Sequence, residues 1–160
     1  MKDNMSEATN IQNTQESQEF HHTLPLQIRW NDVDQFGHVN NGVFFQFYDT
    51  AKTDYLATVC SDVDWSRKGI VVVHIEADFL SEVKAGSHIA ARTRISHIGR
   101  TSFHLQQDVI DTDTLEVKCH CLSIMVLYDL QKHESIPLPD HWVKSISEFE
   151  GVEFKRIIKN

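Results

Sequence analysis

One stretch of this chain has the apolar period of a long helix, and nearly everything around it reads as strand. Within residues 42–59, Phe44, Phe47, Tyr48, Ala51 and Tyr55 fall at i, i+3, i+4, i+7 and i+11. Val43, Phe45 and Leu56 widen the stripe, so this helix should be enclosed on most sides rather than lie on a surface. Asn40 or Asn41 is suited to cap it. Enclosure needs a sheet, and the strands are present. Residues 24–30 alternate Leu24, Leu26, Ile28 and Trp30 against Gln27 and Arg29.

Beyond the polar stretch 61–68 come four more strand-like runs, at 70–83, 87–98, 101–111 and 115–127. The first alternates Val71, Val73, Ile75, Ala77 and Phe79 against Val72, His74, Glu76 and Asp78. Turn chemistry at 84–87, 99–100 and 111–114 predicts that the four follow one another as hairpins. Residues 136–149, with Pro137 and Pro139 at their start, predict a short terminal helix. Strands of about ten residues are longer than usual. The expected fold is therefore α+β, a long antiparallel sheet wrapped around one central helix. Its open edge strands invite pairing with a second copy.

Residues 1–23 are set apart by composition. Eleven of them are Asn, Gln, Ser or Thr, and the apolar ones show no period. Such a segment cannot bury enough surface to offset its ordering entropy, so a disordered tail is expected before a single domain at 24–160. The net charge of −8 disfavours nucleic acid and anionic membrane as partners. Cys60, Cys119 and Cys121 make no disulfide framework, the N-terminus has no apolar signal region, and no run is long enough to span a membrane. These features predict a cytoplasmic protein.

Residues 30–42 concentrate the chemistry. Asp32, Asp34, His38, Asn40 and Asn41 stand between a strand and a buried helix. A loop of this kind lays an acid beside a helix N-terminus, whose unpaired N–H groups suit an oxyanion. The acid can attack a carbonyl or activate water. Taken singly, each of these residues is equally suited to cap a turn or a helix. Asp32 reads as structural, holding the loop through backbone N–H groups. His74, Glu76 and Asp78 share a strand face, but alternate strand residues lie about 7 Å apart, too far for one metal ion. Cys119, His120 and Cys121 meet the same objection, so no metal site is expected.

The string D-x-D-x-x-G-H-V-N-N, Asp32 to Asn41, followed by an aromatic-rich helix, resembles the hotdog-fold thioesterases of the 4-hydroxybenzoyl-CoA thioesterase-like group. Residues 71–80, 96–103 and 124–129 resemble further segments of that family, and the likeness spans 24–130. The resemblance implies an acyl-CoA thioesterase with Asp34 as the catalytic carboxylate. It likewise implies that the backbone N–H of Asn41 polarises the thioester carbonyl, and it puts His38 at the motif's His position. One branch carries a catalytic His where this chain has Asn41, so no imidazole role is expected there. Asp49 and Lys52 stand where the family helix commonly has Glu and Arg.

The resemblance also implies a substrate tunnel between subunits. Gly37, Val39 and Asn40 would line it from the loop, Phe44 and Tyr48 from the helix. Val72, Val73 and His74 would contribute from the strand that follows. Arg100, with Thr101 and Ser102, would anchor coenzyme A phosphates. No cofactor is implied beyond coenzyme A as part of the substrate. The expected partners are an acyl-CoA or acyl-carrier-protein substrate and further copies in a homodimer or homotetramer. A non-catalytic acyl-CoA or carrier-protein binding module on the same fold is the alternative. Hydratase chemistry is a third reading, but it needs an Asp–His pair with no clear equivalent here.

Overall fold

The computed structural model describes residues 19–156. In chain order they form β1 (His22–Leu26), a 3-10 turn (Trp30–Asp32), α1 (Asn41–Val59), β2 (Lys68–Phe79), β3 (Ile89–Ile98), β4 (Ser102–Asp111), β5 (Val117–Asp129), the short β6 (Glu134–Ser135) and α2 (Asp140–Glu150). The α+β architecture is the expected one. One antiparallel sheet, ordered β1-β3-β4-β5-β2 with β6 beside β5, packs against α1. Asn40 is the N-cap, its side chain accepting the Gly42 N–H at 2.9 Å. Phe44, Phe47, Tyr48, Ala51, Tyr55 and Leu56 are all buried, and Phe45 is left at the surface.

Three expectations are corrected. First, β2 does not pair with β3. It lies at the far edge against β5, while β3 pairs with β1 at the opposite edge. The intervening segment turns inward instead of forming a hairpin. Val83, 1% exposed, accepts the Val39 N–H at 2.8 Å, and Lys84 bridges His38. Only β3, β4 and β5 form the predicted meander.

Second, β2 ends at Phe79 and carries an irregularity between Val72 and His74. Val72 pairs with Met125, and Ile75 pairs with Ser123, both buried. Directly paired residues share a face. Val72 therefore joins Ile75, Ala77 and Phe79 on the helix side, and Val71 joins His74, Glu76 and Asp78 outside.

Third, β1 begins inside the predicted tail. His22 is 7% exposed, pairs with Thr93, stacks edge-on to Tyr55 and contacts Asp54 at 2.8 Å. Phe20 lies under Arg92 and Arg94 at 4.8 and 5.0 Å. The strand also stops before Trp30, which enters the 3-10 turn and is 94% exposed rather than inward. Residues 1–18 lie outside the described part.

The helix α2 is latched to the core by a buried acid. Glu150 accepts the Tyr55 hydroxyl of α1 and the Ile95 N–H of β3, the latter at 3.0 Å. Its other oxygen is buried without a partner. Burial pushes its carboxyl above the ordinary value of 4.5, and the hydrogen bonds from Tyr55 and Ile95 only partly oppose this. A raised folded-state pKa means a contribution that is full below the unfolded value and lost as pH rises through the folded one. Wild type should therefore lose melting temperature relative to Glu150→Gln as pH rises above 4.5, and parallel pH profiles for the two proteins would refute this. Glu150→Ala, which strands the buried Tyr55 hydroxyl, should cost about 2 kcal/mol by denaturant unfolding.

Candidate active site

The loop between β1 and α1 is a small hairpin tied at both arms. Its entry is fixed by Asp32, 2% exposed, whose carboxylate accepts the Arg29 N–H at 2.7 Å and the Arg29 Nη2 at 2.9 Å. Burial pushes the Asp32 carboxyl up. The hydrogen bonds and charge of Arg29 overcome that and hold it below the usual carboxylate range. The Asp32 carbonyl accepts the Asn40 N–H at 2.8 Å, so one residue anchors both the start of the loop and the cap of α1. Val33 bridges Val39 between them.

Asp34 begins the tip. Its carbonyl accepts the Gly37 N–H at 3.0 Å, and its N–H donates to the His38 carbonyl at 2.9 Å. Gly37 has φ of 80°, a left-handed conformation that a side chain would strain. The Asp34 Oδ1 accepts the N–H groups of Phe36 at 2.9 Å and His38 at 3.3 Å. Among the described residues Oδ2 has no hydrogen bond and Asp34 has no ion pair. One oxygen thus orients the carboxylate and the other stays available. Asp34 is half-buried on a groove of about 470 Å³, lined also by Ile28, Arg29, Trp30, Val33, Gln35 and Ala85. Asn41 opens α1 and is exposed, and its N–H has no acceptor among the described residues, as expected of a first-turn amide.

The other sequence candidates divide. Asn40 is the helix cap and Gly37 the tight turn. The His38 imidazole contacts Glu82 at 2.9 Å, so this residue serves Asp34 through its backbone N–H. Val39, Phe44 and Tyr48 are 4%, 3% and 2% exposed and belong to the core under α1. They do not line the Asp34 groove. The Tyr48 hydroxyl is buried beside the Cys119 thiol without an ordinary hydrogen bond, and burial drives its pKa well above the usual phenol value. Asp49 and Lys52 form an ion pair on the open side of α1. Val72, Val73 and His74 lie exposed on the edge strand β2.

Arg100, Thr101 and Ser102 form the β3–β4 hairpin, at the opposite end of β3 from the segment that bridges the Asp34 loop. Nine steps along β3 at about 3.3 Å each separate the two ends, so one protomer does not bring the hairpin to Asp34. The hairpin is tight at Gly99, where a Cβ would lie 2.9 Å from the Ser102 Oγ and 3.4 Å from the Ser102 carbonyl oxygen. Arg92 pairs with Asp108 at 2.8 Å and Arg94 with Gln106 at 2.7 Å, which commits the other strand arginines. No group of three His, Cys, Asp or Glu side chains among the described residues is placed to hold a metal ion.

Sequence reasoning missed Arg29, Trp30 and Gln46. Arg29 reads as an outward strand position, yet its Nη2 also donates to the Gln46 Oε1 at 2.9 Å on the second turn of α1. The available signal was spacing: a cation three residues before a buried Asp in a loop.

The model of the thioesterase-like superfamily matches residues 28–146. The acyl-acyl carrier protein thioesterase ATL2, chloroplastic, of Arabidopsis thaliana is 24% identical over 123 residues, covering 75% of this chain and 65% of the relative. The chain thus spans less than two thirds of that relative's length. A thioesterase from Thermus thermophilus, solved with coenzyme A and zinc, is 26% identical with a TM-score of 0.72, covering 82% of this chain and 96% of that one. A thioesterase superfamily protein from Jannaschia sp. CCS1 is 21% identical with a TM-score of 0.75, covering 83% and 85%, and shares the fold. None of the helices is long and apolar enough to cross a membrane among the described residues. With the loop, the buried helix and strands β2 to β6 all inside the residues matched by one family model, the chain belongs to the thioesterase-like superfamily of the hotdog fold.

Proposed function

We propose that this protein hydrolyses acyl thioesters, with Asp34 as nucleophile or general base and the Asn41 N–H as the donor to the developing oxyanion. The observation that carries this reading is the Asp34 carboxylate, oriented through one oxygen by two backbone N–H groups, set on a groove, and carried by the loop that leads into α1. In the general-base route, water adds to the thioester carbonyl and gives its proton to Asp34. The C–S bond then breaks and the thiolate takes up a proton. In the nucleophilic route, Asp34 displaces the thiolate to give a mixed anhydride, which water opens. In both, the carbonyl oxygen gains charge next to the N-terminal end of α1, where the helix dipole and an unpaired N–H favour it. The step needs only these groups and water, with coenzyme A entering as part of the substrate.

The named activities of the relatives support an acyl-CoA or an acyl-carrier-protein thioester as substrate. Three free, buried thiols support a reducing compartment such as the cytoplasm. The edge strand β2 supports a second copy as partner. It exposes Val71, Val72, Val73, Ile75 and Phe79 by 42%, 43%, 58%, 42% and 42%, and among the described residues no strand lies beside its outer edge. Phe44 and Phe45, at the start of α1, meet Phe79 at 5.5 and 6.4 Å, while Ile70 packs with the core around Leu56 at the far end. A two-fold axis through the β2 edge therefore sets the Ile70 end of one copy beside the Asn41 end of the other. The Arg100 hairpin, on the same end of the sheet as Ile70, then approaches the Asp34 site of its neighbour.

Thiol release from a panel of short, long and aromatic acyl-CoAs and acyl carrier proteins, read with a thiol-reactive dye, tests the proposal. Turnover of at least one class is expected. Binding without turnover across the whole panel would instead make the protein a non-catalytic acyl-CoA or acyl-carrier-protein binding module.

A further inference from the structure

Arg29 sits outside the motif, yet three parts of the site converge on it. Its backbone N–H and its Nε and Nη2 all reach the buried Asp32 carboxylate, at 2.7, 3.2 and 2.9 Å. The same Nη2 reaches Gln46 on the second turn of α1 at 2.9 Å. Asp32 in turn holds the Asn40 N–H through its carbonyl, and Asn40 caps α1 at Gly42. A single planar guanidinium thus ties the exit of β1, the entry of the loop and the flank of the helix. Few side chains can do this. The fork presents several donors in fixed directions, whereas an ammonium is a point charge.

We propose that Arg29 is a positioning residue of this site: its guanidinium, forked between Asp32 and Gln46, sets the separation between the Asp34 carboxylate and the Asn41 N–H. The inference rests on the thioesterase reading for its effect on rate, but not for its effect on the loop. Asp34 stands two residues after Asp32 on one arm, and Asn41 one residue after Asn40 on the other. A shift of Asp32 relative to α1 therefore changes the gap between them directly. Catalysis that depends on a carboxylate and an oxyanion donor acting on the same carbonyl is sensitive to such a change. A displacement of about 1 Å at a distance from the chemistry can cost about 10²-fold in rate. Arg29 is itself exposed, with 62% of its side chain open to solvent. Its removal thus empties no core space, and the sheet and α1 retain their own packing.

The test pairs kinetics with amide exchange on the full chain. In Arg29→Ala, kcat should fall by about 10- to 100-fold and KM should change by less, because Arg29 is only one of the seven residues that line the groove whereas the alignment is lost as a whole. Methylguanidinium at millimolar concentration, entering the exposed site, should restore part of kcat. The backbone amide of Asn40, bonded to the Asp32 carbonyl, should exchange about tenfold faster or more. A wild-type kcat in folded Arg29→Ala, with active wild type, overturns the positioning role and leaves the thioesterase reading standing. If Arg29→Ala does not fold, Arg29→Lys decides: it keeps the charge and loses the fork, and an unchanged kcat overturns the proposal. If the wild type hydrolyses no thioester, the functional reading fails by itself. Amide exchange then judges the clamp, with unchanged exchange at Asn40 counting against it.

Discussion

Asp34→Asn keeps the fold and loses about 10²-fold or more of turnover, about 3 kcal/mol of transition-state stabilisation. The fold survives because the tip of the loop uses only one oxygen of Asp34, which accepts the N–H groups of Phe36 and His38. The Asn side-chain oxygen accepts the same two bonds, and Asn favours such turns as readily as Asp. What disappears is the negative oxygen that attacks the carbonyl or takes the proton from water. Asp34→Ala is the poorer experiment, since it also removes the side-chain bonds that shape the turn, and a loss of rate would then mix chemistry with loop geometry. The measurement is kcat by thiol release on the best substrate of the panel, with circular dichroism and melting temperature recorded alongside. A folded Asp34→Asn protein with wild-type kcat would refute both the nucleophilic and the general-base roles.

The parts of this structure that were legible in the sequence are those governed by local rules. The face of α1 followed from its 3.6-residue period, and all five residues of the stripe are buried. The meander of β3, β4 and β5 followed from short turns with suitable residues. The position of β2 was not legible. Its partner β5 lies between 40 and 61 residues away in the chain, from Phe79↔Cys119 to Lys68↔Asp129, and no turn residue announces a crossover. A strand-like run extending to Val83 invited the hairpin reading. In fact residues 82–84 serve the site loop, with Val83 bound to Val39 and Glu82 to His38.

The irregularity at Val73 was invisible for a different reason. A run of valines gives no polar marker of which face each belongs to, so a one-residue slip leaves the pattern unchanged to the eye and reverses every side chain before it. In the site, the D-x-D-x-x-G-H-V-N-N string located the loop and the helix cap. It did not separate side chains that face the groove from those that face the core. Phe44 and Tyr48 look like pocket walls by type and are core by position. Trp30 looks like core by alternation and is a groove wall, because the strand stops at Leu26, four residues before the hydrophobic pattern ends.

Charging the edge strand should separate the subunits and remove activity with them. In a single copy, Val72 and Ile75 are 43% and 42% exposed, on the helix side of β2 next to its open edge. Glutamate at both positions is compatible with the isolated protomer, where its carboxylates reach water at little cost. At a β2-to-β2 seam the same carboxylates would be buried against each other across the two-fold axis. There they lose apolar burial of about 1.5 kcal/mol or more per side chain and add desolvation and like-charge repulsion. Because the axis doubles each substitution, a dissociation constant raised by about 10³-fold or more is a conservative expectation. Sedimentation velocity of Val72→Glu/Ile75→Glu at micromolar and nanomolar concentration, with thiol release measured on the same samples, reads both effects. Monomer with a native circular dichroism spectrum and little turnover is expected, since one protomer leaves the Arg100 hairpin far from Asp34 and the groove open on the partner's side. Dilution of wild type should reproduce the same coupled loss without any substitution. A stable monomer that retains full activity would show that the Asp34 site is complete within one chain and that β2 is not the seam.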